Sequence, residues 1–457
     1  MRMSAVRLRT VAPFFSPQHG FSHSFQGKSW FLIFFLVPAW WSVAVPSRTR
    51  YAENSIIKPR SGALRRQGET EAGREGPCDF MEDERNATGR FLLLDVGAGT
   101  LDVLWYDAGS GDVYKAVCRS PVLTVAETAQ GLKGDLVVTG REMGGGAISR
   151  VLKERACHAE VVMSSSASAT VHHDPERVRS YGIRVVSDEE AASLCQSGRY
   201  AHLVTGDVDP ERLKKLFRGL GVPFSFDVVG ICAQDHGVPP HGISHLDFRH
   251  NLFQSTLDRD ASLESLLYRD DQIPKVFNRL RSIAADARTL PVKEVYVMDS
   301  GMAAVLGASL DSAVRSCKRI LVMDVATSHT VAAALEDGNM AGFFEYHTVD
   351  VTVSRLEELL AALAEGSLSH EAVLAEGGHG AYIRKAFGWQ AVERIVATGP
   401  KRALLTGISF TVSAGAPWGD NMMTGAVGLL EAIRRRKGWN PFSRDDQGPY
   451  RRHETRQ

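Results

Sequence analysis

Short apolar runs alternate along this chain with segments in which apolar residues recur at helical spacing. One apolar run, residues 91–96, leads into a turn that contains Gly97, Gly99 and Thr100, and residues 101–107 then resume an apolar pattern. Apolar runs of this length on both sides of a glycine-containing turn are typical of two β-strands joined as a hairpin. The pattern therefore predicts strand, tight turn and strand at this position.

The same arrangement occurs a second time. The apolar run at residues 319–325 includes Asp324, a turn of small residues follows, and residues 330–335 are again apolar. Asp95 occupies the corresponding position in the first hairpin. Because one structural unit is repeated within the chain, the sequence predicts a duplicated domain.

Strand and helix patterns alternate between these two hairpins and after them. Asp209 and Pro210 suit the cap and the first position of a helix, and Ser354 with Glu357 matches a capping box. Residues 263–288 have helical spacing that Pro274 interrupts, whereas the serine-rich residues 164–168 suggest a loop. Alternating strands and helices predict an α/β fold.

In α/β folds, ligands bind at the carboxyl ends of strands. Asp95, Asp235, Asp324 and Gly399 all follow apolar runs with strand character. We therefore expect these four residues to converge on one cleft.

The residues of the first turn suit phosphate binding. Glycine lets backbone N–H groups come close to an anion, and a threonine hydroxyl adds a further donor, so Gly97, Gly99 and Thr100 could contact phosphate. Asp95 could hold a metal ion through water. An ordinary glycine-rich hairpin turn contains the same residue types and remains the alternative at this point. The Walker phosphate-loop pattern with its following helix is not present here.

Histidines are concentrated after the predicted strand at residues 224–231. They are His236, His241, His245 and His250, and the spacing of four between His241 and His245 matches a zinc-binding helix. Pro239, Pro240 and Gly242 argue against a regular helix there. Metal ligands, substrate contacts by Asp235 and His236, and plain loop or core histidines therefore all stay open.

A further histidine, His379, lies between glycines. A histidine in such a turn suits contact with substrate, and an ordinary surface loop is the equal alternative.

Composition narrows the range of functions. Among the 457 residues, 53 lysines and arginines balance 53 acidic residues, so nothing suggests a nucleic-acid partner. The six cysteines are scattered, which favours a reducing, cytoplasmic location over a disulfide framework.

The two ends of the chain differ from its body. Residues 1–85 contain an aromatic-rich apolar stretch within residues 28–45, followed by a polar, arginine-rich stretch that predicts disorder. We expect translation to begin at Met81, with a signal peptide or membrane anchor at residues 28–45 as the alternative. Residues 439–457 are predicted to be frayed.

Five motifs in a fixed order resemble the superfamily of sugar kinases, actin and heat-shock chaperone ATPases. The order is a first phosphate loop, a connecting helix, a second phosphate loop, an adenosine loop and a second connecting helix, and the counterparts here are residues 95–100, 299–308, 324–330, 398–400 and 422–432. The likeness covers roughly residues 90–437. It implies a duplicated, ribonuclease-H-like, two-lobe fold with an interlobe cleft, the lobes spanning residues 90–290, with insertions, and 291–438.

This resemblance also implies ATP and magnesium as ligands. Gly97, Gly99 and Thr100 would hold the β- and γ-phosphates, and Asp95 would position magnesium. Asp324 would bind magnesium through water or act as the base towards an attacking hydroxyl.

The second half of the chain would supply the remaining contacts. Thr327 and Thr330 would contact phosphate, and Gly399 with Thr398 would pack against the adenosine. The second loop, residues 326–329, lacks the glycines of the superfamily, which puts catalysis in doubt more than the fold.

The chain resembles more specifically an uncharacterised domain family with D-V-G-A-G-T, Q-D-H-G and G-G-H-G-A blocks, found here at residues 95–100, 234–237 and 377–381. Its members are often labelled pyruvate formate-lyase activating enzymes. Such activases hold an iron–sulfur cluster on three closely spaced cysteines, and this chain has no C-x3-C-x2-C.

Three functions therefore remain open. The first is an ATP-dependent phosphotransferase or ATPase with an unknown small-molecule acceptor. The second is a nucleotide sensor or scaffold without turnover. The third is a metal-dependent enzyme built on residues 236–250. The sequence leaves the acceptor and the oligomeric state undetermined.

Overall fold

The computed structural model describes residues 87–240 and 242–440. Its strands are β1 Arg90–Val96, β2 Thr100–Asp107, β3 Val113–Arg119, β4 Leu136–Gly140, β5 Val161–Ser164, β6 Ile183–Val186, β7 Ala201–Thr205, β8 Phe226–Ala233, β9 Leu267–Arg269, β10 Val292–Met298, β11 Arg319–Val325, β12 His329–Glu336, β13 Asn339–His347, β14 Gly380–Ile383, β15 Arg394–Thr398 and β16 Ser413–Ala414. Its α-helices are α1 Pro121–Gly131, α2 Gly146–Ala156, α3 Ser165–Ser168, α4 Pro175–Arg179, α5 Asp188–Gln196, α6 Pro210–Leu220, α7 His245–Arg259, α8 Asn278–Ala287, α9 Ser300–Ser309, α10 Val353–Glu365, α11 His370–Ala375 and α12 Thr424–Arg436. Short 3-10 segments are Leu263–Leu266, Trp389–Ala391, Arg402–Leu405, Pro417–Gly419 and Asn421–Met423.

The first six-stranded sheet has the strand order β3-β2-β1-β8-β10-β9. Strand β1 is antiparallel to β2 and parallel to β8, and β10 is parallel to β8. At the end of β1, Asp95 pairs with Asp102 of β2 on one side and with Cys232 of β8 on the other. The first Asp-containing hairpin therefore begins this sheet.

The second six-stranded sheet repeats this plan with the order β14-β13-β12-β11-β15-β16. Strand β11 is antiparallel to β12 and parallel to β15, and Asp324 pairs with Val331 and with Thr398. The series β13-β12-β11-β15-β16 corresponds strand for strand to β3-β2-β1-β8-β10. The structure is thus a duplicated ribonuclease-H-like α/β fold, and the predicted fold class is confirmed.

The central strands are apolar because both of their faces are covered. In β1, Phe91, Leu92, Leu93 and Leu94 are at most 1% exposed. A strand with helices or other layers on both faces is a nearly continuous apolar run rather than an alternating one. One hydrophobic cluster then continues from these residues through α9 and α12 to β11 and β12, so it joins the two halves.

Helices α9 and α12 correspond to the two predicted connecting helices, and their backbones approach closely. A Cβ added to Gly307 would lie 1.9 Å from the carbonyl oxygen of Thr424, and one added to Gly428 would lie 1.9 Å from that of Ala303. Only glycine fits at such a close crossing. The small residues that the sequence shows in these helices are thus explained by helix packing.

A separate four-stranded parallel sheet lies in the chain between β3 and β8. Its order is β6-β5-β4-β7, and it has its own hydrophobic cluster around Leu136, Ile148 and Val161. We call residues 136–205 the inserted sheet.

Three sequence-predicted elements differ in the structure. Residues 263–288 contain a 3-10 turn, the short strand β9 and helix α8 instead of one interrupted helix. The cap of α10 is Thr352, whose side chain accepts from the Arg355 N–H, rather than Ser354. Residues 165–168 form helix α3 instead of a loop, with Ser164 as its cap.

The predicted leader, residues 1–85, and almost all of the predicted frayed tail lie outside the described residues. The same holds for the apolar stretch at residues 28–45. Among the residues that the structure does describe, no helix combines the length and the apolar character needed to cross a membrane.

Candidate functional site

A cavity of about 780 Å³ lies where the two repeated sheets and the inserted sheet meet. Its lining includes these residues predicted from the sequence: Asp95, Gly97, Thr100, Asp235, His236, Asp324, Thr327 and Gly399. The expected convergence of the four strand-end residues on one cleft is therefore what the structure shows.

The turn of the first hairpin is held by its own backbone and by Ser120. The Gly97 N–H donates to the Thr100 carbonyl at 3.0 Å, and the Ser120 hydroxyl donates to the Gly97 carbonyl at 2.6 Å. The Ser120 N–H donates to the Gly99 carbonyl at 3.0 Å. These bonds fix the turn beside the N-terminus of α1, where Ser120 is the cap residue.

Asp95 is enclosed at the end of β1. The Ser300 hydroxyl donates to its Oδ1 at 2.7 Å, and burial raises the pKa of the Asp95 carboxyl to about 6. Helix α12 approaches closely, since a Cβ on Gly425 would lie 2.1 Å from Oδ2 of Asp95. Both connecting helices thus begin against this carboxylate.

Asp324 occupies the equivalent place in the second sheet. It is 8% exposed, and burial, followed by the charge of Asp95, raises the pKa of its carboxyl to about 7. The backbone of Gly399, which has a φ of +91°, lies against the carboxylate of Asp324. A Cβ on Gly399 would lie only 2.6 Å from Oδ1 of Asp324. The predicted adenosine-loop glycine therefore packs directly on the second acid.

A third buried acid, Asp102, accompanies these two, and the sequence analysis did not select it. Burial, followed by the charge of Asp95, raises the pKa of the Asp102 carboxyl to about 8, and its Oδ1 has no hydrogen-bond partner. The sequence feature that could have indicated Asp102 is an acidic residue within the apolar strand β2. Three carboxylates therefore share one poorly solvated region.

The tips of the two hairpins also meet. A Cβ on Gly99 would lie 3.2 Å from the Thr327 hydroxyl oxygen and 3.3 Å from its methyl carbon. Thr327 therefore lies directly against the first turn, and Gly97, Thr100 and Thr327 line the cavity beside this contact, whereas Gly99 does not line it.

Two of the predicted phosphate or adenosine contacts lie behind the cavity lining. Thr330 is fully buried and its hydroxyl is hydrogen-bonded to that of Thr348 at 3.1 Å. Thr398 is also fully buried, and its hydroxyl is hydrogen-bonded to that of Thr424 at 2.6 Å. In this arrangement both hydroxyls stabilise the loops rather than face a ligand.

Asp235 lines the cavity, but its carboxylate already has backbone donors. The Gly237 N–H donates to Oδ1 at 2.8 Å, and the Leu280 N–H donates to Oδ2 at 2.9 Å. Burial raises the pKa of this carboxyl to about 6. Its observed role is to join the loop after β8 to the first turn of α8.

The histidines of residues 236–250 point to different places. His236 and His245 both line the cavity, but His245 packs against His172 and His173, and His250 stacks on His370 with ring centroids 4.0 Å apart. His241 lies outside the described residues. The described histidines of this segment therefore do not form one ligand set, which corrects the segment-based metal hypothesis.

An ion-pair network lies in the cavity wall beside His236. Arg249 of α7 pairs with Asp299 at 2.8 Å and with Glu345 of β13, and all three are buried. Burial alone would raise the pKa of Glu345, but the charge and hydrogen bond of Arg249, together with His379 and His329, lower it. This network connects the second sheet to α7 and α9, and the sequence analysis did not identify it.

His379 contacts two histidines that the sequence analysis did not single out. Its ring centroid lies 4.7 Å from that of His329 and 4.4 Å from that of His347. His329 lines the cavity beside His236. Burial lowers the pKa of His329 to about 4 and that of His236 to about 3, so both are neutral at pH 7.

A protein-family model matches residues 143–404, more than half of the chain, and its description is "Putative pyruvate format-lyase activating enzyme (DUF1786)". The chain belongs to this family. The closer resemblance predicted from the sequence blocks is therefore confirmed. No curated protein sequence matches the chain.

Several solved structures match this chain at low sequence identity. A reductive activator for a corrinoid iron–sulfur protein matches at 11% identity and a TM-score of 0.33, over 77% of this chain but only 61% of that one. An inorganic polyphosphate/ATP-glucomannokinase from Arthrobacter sp. strain KM has 11% identity and a TM-score of 0.31, over 76% of this chain and 100% of that one. A PilM–PilN type IV pilus biogenesis complex has 12% identity and a TM-score of 0.34, over 77% and 98%.

Proposed function

We propose that this protein binds a nucleoside triphosphate with Mg²⁺ between its two hairpins and transfers the terminal phosphoryl group to water or to a small hydroxyl compound. One observation carries the proposal: two Asp-containing hairpins, at equivalent positions of a duplicated fold, contribute Asp95 and Asp324 to the same cavity. Two equivalent hairpins that line one cavity could contact a polyphosphate from both sides.

The cluster of acids supports a bound divalent cation. Asp95, Asp102 and Asp324 are all buried, and after burial itself the charge of Asp95 raises the pKa values of the Asp102 and Asp324 carboxyls. Buried carboxylates without a counter-charge are costly, and hard cations such as Mg²⁺ prefer oxygen ligands. The unpartnered Oδ1 of Asp102 fits the same interpretation. Asp95 and Asp324 would hold Mg²⁺ through water, and the ion would neutralise phosphate charge.

The protein's own residues would orient the nucleotide. The turn with Gly97, Gly99 and Thr100 would contact the phosphates, and Thr327 would close on them from the opposite hairpin. Gly399 would let the adenosine approach the backbone. Asp324, with a pKa near 7, suits the acceptance of a proton from the attacking hydroxyl.

The acceptor would lie on the side of the cavity formed by the inserted sheet. That side includes Arg150, His172 and His173, and the His173 Nε2 is 2.7 Å from Glu142. These groups suit a small polar molecule. The activase activity named in the family description is not proposed, since the chain has no C-x3-C-x2-C.

A second candidate is a nucleotide sensor without turnover. The observation that favours it is the contact between Thr327 and Gly99, because side chains in the glycine-free second turn narrow the space for a phosphate. The two candidates share the nucleotide site and differ only in chemistry.

Phosphate release with Mg²⁺ and ATP separates the two candidates. In a phosphotransferase or ATPase, Asp324→Asn keeps nucleotide affinity within a few-fold and lowers turnover by about 10²–10⁴-fold. Asp95→Asn instead weakens Mg²⁺-dependent binding, and the exposed Asp350→Asn leaves both unchanged. Binding without turnover in the wild type, across hydroxyl acceptors, would favour the sensor.

A further inference from the structure

Three histidines from separate segments meet beside the cavity, and one of them, His329, lines it. His329 begins β12, His347 ends β13 and lies opposite it in the antiparallel register, and His379 immediately precedes β14. Each offers one ring nitrogen, and these three atoms lie within 4.8 Å of one another. Among residues 87–240 and 242–440, these three histidines are the side chains whose ligand atoms lie close enough together, as a group of three, to bind one ion directly.

The nitrogen spacing suits a shared ion. Nε2 of His379 lies 3.2 Å from Nε2 of His347. Two imidazoles bound at 2.0–2.1 Å to one tetrahedral ion have nitrogens about 3.3 Å apart. The closest pair is therefore already at the spacing that two such ligands adopt.

The third ring is oriented towards the same point. The Nδ1 of His329 is hydrogen-bonded with the Ser328 hydroxyl at 2.9 Å, which leaves Nε2 as the atom available for a ligand. That Nε2 is buried and has no hydrogen-bond partner. A buried, unsatisfied nitrogen is costly unless a bound group satisfies it.

A carboxylate stands behind one of the rings. Oε1 of Glu345 is 3.6 Å from Nδ1 of His379, which is beyond hydrogen-bond distance, and that Nδ1 is buried without a hydrogen-bond partner. Glu345 is itself held by Arg249 and by Gln234, whose Nε2 donates to it at 2.5 Å. Metal-binding histidines usually donate their second N–H to a carboxylate, and Glu345 lies near enough to take this place after a small shift of the ring.

We propose that His329, His347 and His379 bind one divalent transition-metal ion of the zinc type, with an open coordination position directed to the cavity. Imidazole nitrogens favour zinc and related transition metals over magnesium. His329 lines the cavity, and the ring of His236, with its own unpartnered buried Nδ1, lies 6.3 Å from that of His329. The site is distinct from the carboxylates proposed to hold Mg²⁺, and it goes beyond the nucleotide function.

Metal uptake by untagged full-length protein tests this site. The protein is stripped with chelator, then titrated with Zn²⁺ and separately with Co²⁺. We expect one ion per chain, visible absorption of the intensity typical of four-coordinate cobalt, and a rise in melting temperature. His347→Ala and His379→Ala should each weaken affinity at least 100-fold, whereas His202→Ala, a histidine of the inserted sheet, should not.

Two kinds of result would overturn the proposal. Loss of the ion to the same degree in His202→Ala and His347→Ala would show an adventitious ion only. Absence of a stoichiometric ion in folded wild type would show that the three rings form only a hydrogen-bonded cluster. If an alanine variant does not fold, His347→Gln and His379→Gln keep the ring-sized volume and give the same comparison. Nucleotide binding is measured in parallel, so failure of this site leaves the nucleotide proposal independently testable.

Discussion

Gly99 and Thr327, at the tips of two hairpins from different sheets, are in contact distance of each other. A Cβ on Gly99 would lie 3.2 Å from the Thr327 hydroxyl. The two equivalent turns of the duplicated fold therefore face each other directly, and any side chain at residue 99 occupies the space between them. The proposed phosphates would bind beside this contact, where Gly97, Thr100 and Thr327 line the cavity.

The three buried acids predict a pH-dependent stability of the nucleotide-free protein. Burial raises the pKa of Asp324 to about 7, above its unfolded value, so the folded state binds more protons than the unfolded state between about pH 4 and pH 7. Stability should therefore fall as pH rises through this window. Asp324→Asn should stabilise the protein by on the order of 3 kcal/mol at pH 8 and little at pH 4, by urea unfolding.

Asp350→Asn is the matched control for this measurement, since Asp350 is exposed on the loop after β13. Mg²⁺ should also stabilise the wild type more at pH 8 than at pH 5. Equal effects of Asp324→Asn at both pH values would contradict the assignment of a raised pKa.

The crossing of α9 and α12 should tolerate no side chain at Gly428. A Cβ there would lie 1.9 Å from the Ala303 carbonyl and 2.5 Å from the Gly307 nitrogen, both backbone atoms that cannot move aside. Gly428→Val should lower the free energy of unfolding by about 3 kcal/mol or more. Gly219→Val, in α6 where a Cβ meets no atom within 4 Å, should have almost no effect.

The buried network around Arg249 should be essential to the fold. Arg249→Met leaves Asp299 and Glu345 as buried carboxylates without their counter-charge. We expect a loss of about 3–5 kcal/mol in chemical unfolding. The exposed pair Arg119–Glu127 is the comparison, and Arg119→Met should change stability little.

The two hairpins and the two connecting helices could be predicted because each is a local pattern. In each hairpin, an apolar run, a turn and a second apolar run are adjacent in the sequence. The resemblance of the five motifs to a known superfamily then predicted the duplicated fold. Asp95 and Asp324 were selected for the same reason, since each ends such a run.

The histidine group and the ion-pair network could not be predicted in this way. His329, His347 and His379 come together only when β12, β13 and the turn before β14 pair, and Arg249 reaches Glu345 from a distant helix. The histidine cluster that is visible in the sequence, by contrast, separates when the chain folds. Sequence spacing showed neither the parallel order of the inserted sheet nor its position at the cavity.

Mg²⁺-dependent binding of ATP to the purified protein, measured by titration calorimetry, tests the central claim most directly. The wild type should bind ATP with Mg²⁺. Gly99→Val should abolish binding while it keeps the fold, because its side chain must displace Thr327, which lines the cavity where the phosphates would bind. Gly219→Val should bind like the wild type. No binding of ATP or ADP to the wild type with either Mg²⁺ or Mn²⁺, or unchanged binding in Gly99→Val, would contradict a nucleotide site between the two hairpins.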